Sequence, residues 1–258
     1  MKKNTMTLMA AGVCAAVLAQ AANAAVVTVA GWDFSTIVNV AGPTTVSGVA
    51  FGADNYAASV SAAGLTVGGL NRAGGVTSLL ASGSSSAAKG WGGQNIGATS
   101  TDSATAISNS KYIYFTISTN ASSNLSLSSI DAYNVRRSGS GPTTGLWQYA
   151  VGSGSYSNIG SAVTFGATTS SGGNAQTAIS LSTISGLQNI AASTTVTFRL
   201  LLWTPSTGAG TGTWYLNGQS ATTDPDFKLS GEVSAVPAPG AVALIGLAGL
   251  VASRRRRN

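Results

Sequence analysis

The fold class is decided by the stretch Lys111-Tyr-Ile-Tyr-Phe-Thr-Ile-Ser118, in which apolar and hydroxylated side chains alternate. The two sides of an extended chain then carry different sets: Ile113, Phe115 and Ile117 against Tyr112, Tyr114 and Thr116. The stretch from Thr195 to Trp203 repeats the pattern, with one apolar side formed by Val196, Phe198, Leu200 and Leu202. A period of two predicts β-strands with one face buried.

Further short segments read as strands, separated by clusters of Gly, Ser, Asn and Pro. They are Val26 to Val29, Thr45 to Val49, Leu65 to Val67, Leu125 to Tyr133, Leu146 to Val151, Ala162 to Phe165, Ala178 to Leu181, Thr213 to Leu216 and Phe227 to Val233. No stretch between residues 25 and 235 shows sustained helical periodicity. We therefore predict an all-β domain over residues 25–235, an antiparallel two-sheet sandwich.

Two segments rich in Gly, Ser, Ala and Thr show no clear period, Gly68 to Thr105 and Gly166 to Gln176. We predict that both are surface loops. The first is long for a loop and leaves room for a short strand around Val76 to Leu80.

The N-terminal residues have the three parts of a secretory signal peptide. Lys2 and Lys3 precede an apolar run from Met6 to Leu18, and the small-x-small site Ala22-Asn23-Ala24 follows. This pattern predicts cleavage after Ala24, with Sec-type export machinery and signal peptidase as partners. The alternative is a short buried helix.

The C-terminal residues combine an apolar run with a basic end. Val236 to Ala252 contains no charged residue, and Arg254, Arg255, Arg256 and Arg257 follow Ser253. Pro237 and Pro239 disfavour regular helix at the start of the run, so a helix would begin near Gly240. Residues 236–258 therefore predict a short transmembrane helix whose arginines hold its end in the cytoplasm.

The segment Val236-Pro237-Ala238-Pro239, with the apolar run and the Arg cluster behind it, resembles the PEP-CTERM sorting tail, also called the ice-binding protein C-terminal domain. Ala238 stands where that family usually has Glu. The resemblance implies an exported protein of a Gram-negative bacterium, transiently anchored in the membrane and processed by an exosortase-like enzyme. An unprocessed anchor is the alternative.

Three segments of the predicted domain are similar to the β-sandwich passengers found upstream of such tails. These segments are Asn134 to Pro142, Thr197 to Trp203 and Gly212 to Asn217. The resemblance implies a lectin-like jelly roll.

Composition excludes several kinds of chemistry. The chain has no His and a single Cys, Cys14 in the N-terminal apolar run, so disulfides, His/Cys zinc sites and His-dependent triads are excluded. Lys2, Lys3 and the four terminal arginines are six of the 13 basic residues, and the remaining seven balance the seven acids. We therefore expect no cofactor and no nucleic-acid partner.

Few residues are candidates for a site. Asp224 and Asp226 are weak calcium candidates, with a turn as the alternative. Trp91 lies in Gly90-Trp91-Gly92-Gly93, which predicts a flexible loop, and it is our ligand candidate. Most of the Trp residues are expected to be core or half-buried strand residues. Arg136 and Arg137 are expected to enter a solvated turn without sharing an anion site.

The sequence thus predicts an exported surface or extracellular-matrix protein without catalytic activity. The alternative is a carbohydrate-binding module acting on exopolysaccharide, and a glycosidase comes third because no pair of carboxylates stands out.

Overall fold

The computed structural model describes residues 25–35, 37, 54–77, 90–96, 99–166, 173–205, 212–218 and 224–236. Within them the chain forms antiparallel strands, one short helix and one 3-10 turn. The strands are β1 (Val27–Trp32), β2 (Val60–Ser61), β3 (Leu65–Val67), β4 (Asn71–Arg72), β5 (Gly90–Gln94), β6 (Tyr112–Thr119), β7 (Ser123–Ile130), β8 (Tyr133–Arg137), β9 (Thr144–Val151), β10 (Ser157–Asn158), β11 (Val163–Thr164), β12 (Asn174–Gln176), β13 (Ile179–Ser180), β14 (Thr195–Trp203), β15 (Thr213–Asn217) and β16 (Phe227–Ala235). The helix α1 spans Ser103–Ser108, and the 3-10 turn spans Ser185–Leu187.

The strands form three sheets. The first has the order β13-β7-β16-β1-β2, and the second has the order β10-β9-β14-β6-β3, with β11 added to β9 and β4 added to β6. The third sheet has the order β12-β8-β15-β5. Every pairing between these strands is antiparallel, which confirms the predicted class.

The third sheet continues the first. Gln176 of β12 lies opposite Tyr133 of β8, and Ile179 of β13 lies opposite Ile130 of β7, so the same register runs through both sheets. The ladder is interrupted where Asp131 accepts hydrogen bonds from the hydroxyls of Ser129 and Ser230. The prediction of two sheets is therefore corrected to three. The first and third sheets form one layer, which is divided at Asp131, and the second sheet forms the other layer.

The core between the layers is aromatic. The Phe115 ring lies at its centre, 4.7 Å from Trp32, 5.2 Å from Phe198 and 5.8 Å from Phe227 between ring centroids. All five Trp side chains are buried: Trp32, Trp147 and Trp214 lie in this core as expected, whereas Trp203 is buried on the outer face of β14 under α1. Alternation therefore assigned the inner faces of β6 and β14 correctly.

The segment from Gly68 to Thr105 is not one long loop, and that prediction is wrong. It contains β4, β5 and the first turn of α1, whose N-cap is Asp102. These elements are too short to show a period. Lys111 Nζ fixes the segment by donating hydrogen bonds to the carbonyls of Gly75 (2.6 Å) and Asn95 (2.7 Å).

Other boundaries need smaller corrections. Asn174–Gln176 forms β12, so the second predicted loop is also wrong in part. Within the short strand predicted around Val76 to Leu80, Thr77 forms an isolated antiparallel bridge with Gln94. The predicted strand at Thr45 to Val49, the signal peptide with Ala22 and Ala24, and the tail after Val236 lie outside the described residues. Within the described residues, no helix is long and apolar enough to cross a membrane.

The burial of the Tyr133 hydroxyl predicts how stability depends on alkaline pH. Burial raises the pKa of Tyr133 to about 12, and its hydroxyl oxygen accepts a hydrogen bond from Trp147 Nε1 (3.0 Å). Between pH 10 and 12 the unfolded phenol loses its proton while the folded one keeps it, so the free energy of unfolding should fall as pH rises. Urea denaturation at several pH values measures this slope.

The Tyr133→Phe variant is the control for that slope, and it should lose less stability than wild type over the same pH range. Part of the fall should remain, because burial also raises the pKa of Tyr215 to about 12. Identical pH slopes in the two proteins would contradict the assignment.

Candidate functional site

The outer face of the second sheet carries a row of polar and aromatic side chains. Arg199 of β14 lies between Tyr114 of β6 and Gln148 of β9 in the strand register. Tyr112 lies on the same side of β6, and Tyr156 comes from the turn between β9 and β10. We call these five residues the tyrosine face. Successive side chains of a strand point to opposite faces of the sheet. The residues that alternate with the core residues of β6 and β14 therefore point outward.

The Arg199 guanidinium lies at the centre of the tyrosine face. Its Nε donates a hydrogen bond to Gln148 Oε1 (2.8 Å), and Gln148 Nε2 donates to Asn158 Oδ1 (2.7 Å). The guanidinium carbon lies 3.5 Å from the centre of the Tyr156 ring and 5.2 Å from that of Tyr112. Cation–π attraction of this kind stabilises a partly desolvated cation and holds both rings in place.

The charges around the tyrosine face are few. In the described part of the chain no carboxylate lies within ion-pairing distance of Arg199, whereas Arg72 is paired with Asp54 at 2.9 Å. Burial raises the pKa of Tyr156; Arg199 opposes this shift, and Tyr112 and Tyr114 add to it. The face is thus a guanidinium bordered by three phenol rings.

One end of this sheet is covered and the other is open. Helix α1 packs Ala106 on Leu146, Leu201 and Trp203. Tyr112 packs against this cluster and is half-buried, Tyr114 is also half-buried, and 38% of Tyr156 is exposed. Among the described residues, the tyrosine face therefore presents partly exposed aromatic rings on the outer face of the second sheet.

Trp91 does not lie in a flexible loop, and that expectation is wrong. Its side chain is completely buried in β5, with the Arg72 guanidinium 4.6 Å from the ring centre. A Cβ on Gly92 would collide with the backbone of Trp214 and Tyr215, so this glycine permits close strand pairing rather than mobility. A buried indole offers a sugar no free face, and we withdraw Trp91 as the ligand candidate.

Asp224 and Asp226 do not combine into an acidic cluster. Asp226 Oδ2 accepts the backbone N–H of Phe34 (2.8 Å), and Asp224 is exposed. Among the described residues, no group of three or more Asp, Glu, Cys or His side chains is arranged to hold a metal ion. Asp226 instead lines a small hollow of about 240 Å³ with Asn134, Gln176 and Asn217.

Arg136 and Arg137 do not enter a solvated turn, and that expectation is wrong. Both lie on β8 and are buried. Arg137 donates hydrogen bonds to the carbonyls of Gly166 (2.9 Å), Ser138 (3.2 Å) and Gly141 (3.4 Å). The Arg136 guanidinium lies 5.9 Å from the ring centre of Tyr215. The two side chains have different partners.

Sequence reasoning missed the tyrosine face, although part of its signal was present. The alternation that buried Phe115 also placed Tyr112 and Tyr114 together on the opposite side of β6. The same rule placed Arg199 outward on β14. No pattern pointed to Tyr156, because a turn residue reaches this surface only through the pairing of β9 with β10.

Comparison with known proteins gives no relative for this chain. No protein-family model, no curated protein and no solved structure matches it.

Proposed function

We propose that this chain is an exported, non-catalytic protein of the cell surface or extracellular matrix, and that its β-domain binds polysaccharide through the tyrosine face. The observation that carries the binding role is the group of two half-buried rings, Tyr112 and Tyr114, and the exposed ring of Tyr156 beside Arg199. Aromatic rings pack against the apolar faces of sugar rings, while guanidinium and amide groups bind sugar oxygens. We therefore assign polysaccharide binding as the molecular role of this surface protein.

The tail belongs to this proposal. Antiparallel β1 and β16 are neighbours, with Val27 opposite Gly231, so the chain enters and leaves the domain at one end. Ala25 and Val236 line the same shallow groove of about 740 Å³. The predicted signal peptide and sorting tail are therefore attached at one place, which suits release by signal peptidase and then by an exosortase-like enzyme. We also propose that the two layers follow the lectin-like jelly-roll plan.

A glycan array probed with the purified protein tests the binding role. We expect binding to at least one polysaccharide class, and the Tyr114→Ala/Tyr156→Ala double variant should bind about tenfold more weakly because two rings are lost. The matched control is Val27→Ala, which truncates a side chain that is 44% exposed in the other layer. Equal binding by all three proteins, or no binding to any glycan, would reject the proposal.

A further inference from the structure

The buried Arg and Lys side chains described in the structure differ in the acceptors available to their N–H donors. Arg72 is paired with Asp54, Arg137 donates to three carbonyls, and Lys111 donates to two. Arg199, which is only 8% exposed, has one hydrogen-bonding partner in the described part of the chain, the neutral amide of Gln148. A guanidinium has five N–H donors, so those of both Nη groups lack an acceptor there.

The Nη groups of Arg199 are nevertheless not completely buried. Neither is among the buried side-chain atoms that lack a partner, although no hydrogen bond satisfies them. The rings of Tyr112 and Tyr156 stabilise the positive charge but supply no acceptor for these donors. A partly desolvated cation that keeps accessible donors favours an anion, and a guanidinium matches a carboxylate with two parallel hydrogen bonds.

The dimensions of the tyrosine face indicate the size of the anionic ligand that it can bind. Tyr114, Arg199 and Gln148 lie side by side on three neighbouring strands. Strands about 4.8 Å apart make this row roughly 10 Å long, which suits one or two sugar units. One face of the Tyr156 ring lies against the guanidinium, 3.5 Å from its carbon, and the exposed part of the ring remains for contact with a sugar.

We propose that the tyrosine face selects acidic polysaccharides: Arg199 binds the carboxylate of a uronic acid unit while the tyrosine rings pack on the sugar. This inference rests on the proposed polysaccharide-binding function and adds its substrate class. A neutral sugar would leave the Nη donors to water, and a sulfate ester, whose three terminal oxygens can also accept from a guanidinium, is the competing anion.

The test compares polygalacturonate with its fully methyl-esterified form, because the two share a sugar backbone and differ in charge. Dextran sulfate serves as the sulfated arm. All proteins carry Arg254→Gln, Arg255→Gln, Arg256→Gln and Arg257→Gln, so that the basic tail does not bind the polymers. Affinity electrophoresis in native gels, at low salt and at 0.5 M NaCl, measures the dissociation constants.

We expect the protein to bind polygalacturonate at least tenfold more tightly than the ester and no more weakly than dextran sulfate, and to lose most of the preference over the ester in high salt. Arg199→Met should abolish the preference, Arg199→Lys should keep part of it, and Lys228→Met, which removes one charge from the other layer, should leave it unchanged. Thermal unfolding checks that the variants fold. The comparison of polygalacturonate with its ester uses the protein with an unchanged tyrosine face. It therefore tests the acidic preference even if Arg199→Met does not fold.

Equal affinity for the acid and the ester would overturn the acidic preference while leaving polysaccharide binding intact. Tighter binding of dextran sulfate would overturn the carboxylate assignment. A preference that survives Arg199→Met, or that disappears in Lys228→Met, would place recognition elsewhere. Failure to bind any polysaccharide would reject the proposed function itself.

Discussion

Replacing Phe115 by Ala is expected to lower the free energy of unfolding by about 3–5 kcal/mol, the range for aromatic truncation in a packed core. The ring contacts aromatic residues of both layers: Trp32 and Phe227 in the first sheet region, and Trp147 and Phe198 in the second sheet. Its removal leaves a cavity that such large neighbours cannot easily fill. Urea denaturation with an unchanged m-value measures the loss.

Tyr114→Ala is the matched control, because Tyr114 is the next residue of β6 and points to the outer face. We expect a loss of only about 1 kcal/mol there, since the side chain is half-buried. If Tyr114→Ala destabilised the protein as much as Phe115→Ala, the assignment of inner and outer faces would be wrong, and the tyrosine face with it.

Replacing Gly92 by Ala is expected to lower the free energy of unfolding by about 1–3 kcal/mol, the range for overpacking. The new Cβ would collide with the Trp214 carbonyl and the Tyr215 backbone on β15. Because the colliding atoms belong to the backbone, the clash can be relieved only if β5 and β15 move apart. That movement would also expose Trp91, so its fluorescence should shift to longer wavelength before global unfolding.

Gly74→Ala provides the control for this prediction. Its Cβ would meet no atom within 4 Å, so the substitution should be neutral or slightly stabilising. Equal stability of the two alanine variants would show that β5 does not pair closely with β15 and would restore the loop interpretation of Gly90 to Gly93.

The sequence predicted the parts of the fold where alternation is long. β6 and β14 each run for at least eight residues, so their inner and outer faces follow from period two. β4, β5 and β12 have at most five residues, and β5 is mostly glycine, so local pattern carries no signal for them. Their positions depend on pairing with distant strands, as Gly92 with Tyr215 shows.

The candidate site was predictable only in part for the same reason. Tyr112, Tyr114 and Arg199 belong to the long strands, and their outward direction follows from the sequence. The convergence of Tyr156 and Gln148 on Arg199 depends on the order of β10, β9 and β14 within the sheet. Trp91 shows the opposite error, because a glycine-rich surrounding indicates close packing as readily as mobility.

The most direct test of the account is the protection of Tyr156 from nitration by tetranitromethane, measured by peptide mass spectrometry with and without saturating polygalacturonate. Tyr156 is 38% exposed and should react in the free protein, whereas Tyr215, at 4% exposure, should resist throughout as the internal control. The account predicts at least tenfold slower nitration of Tyr156 in the complex. Bound polymer that leaves the nitration rate of Tyr156 unchanged would contradict it.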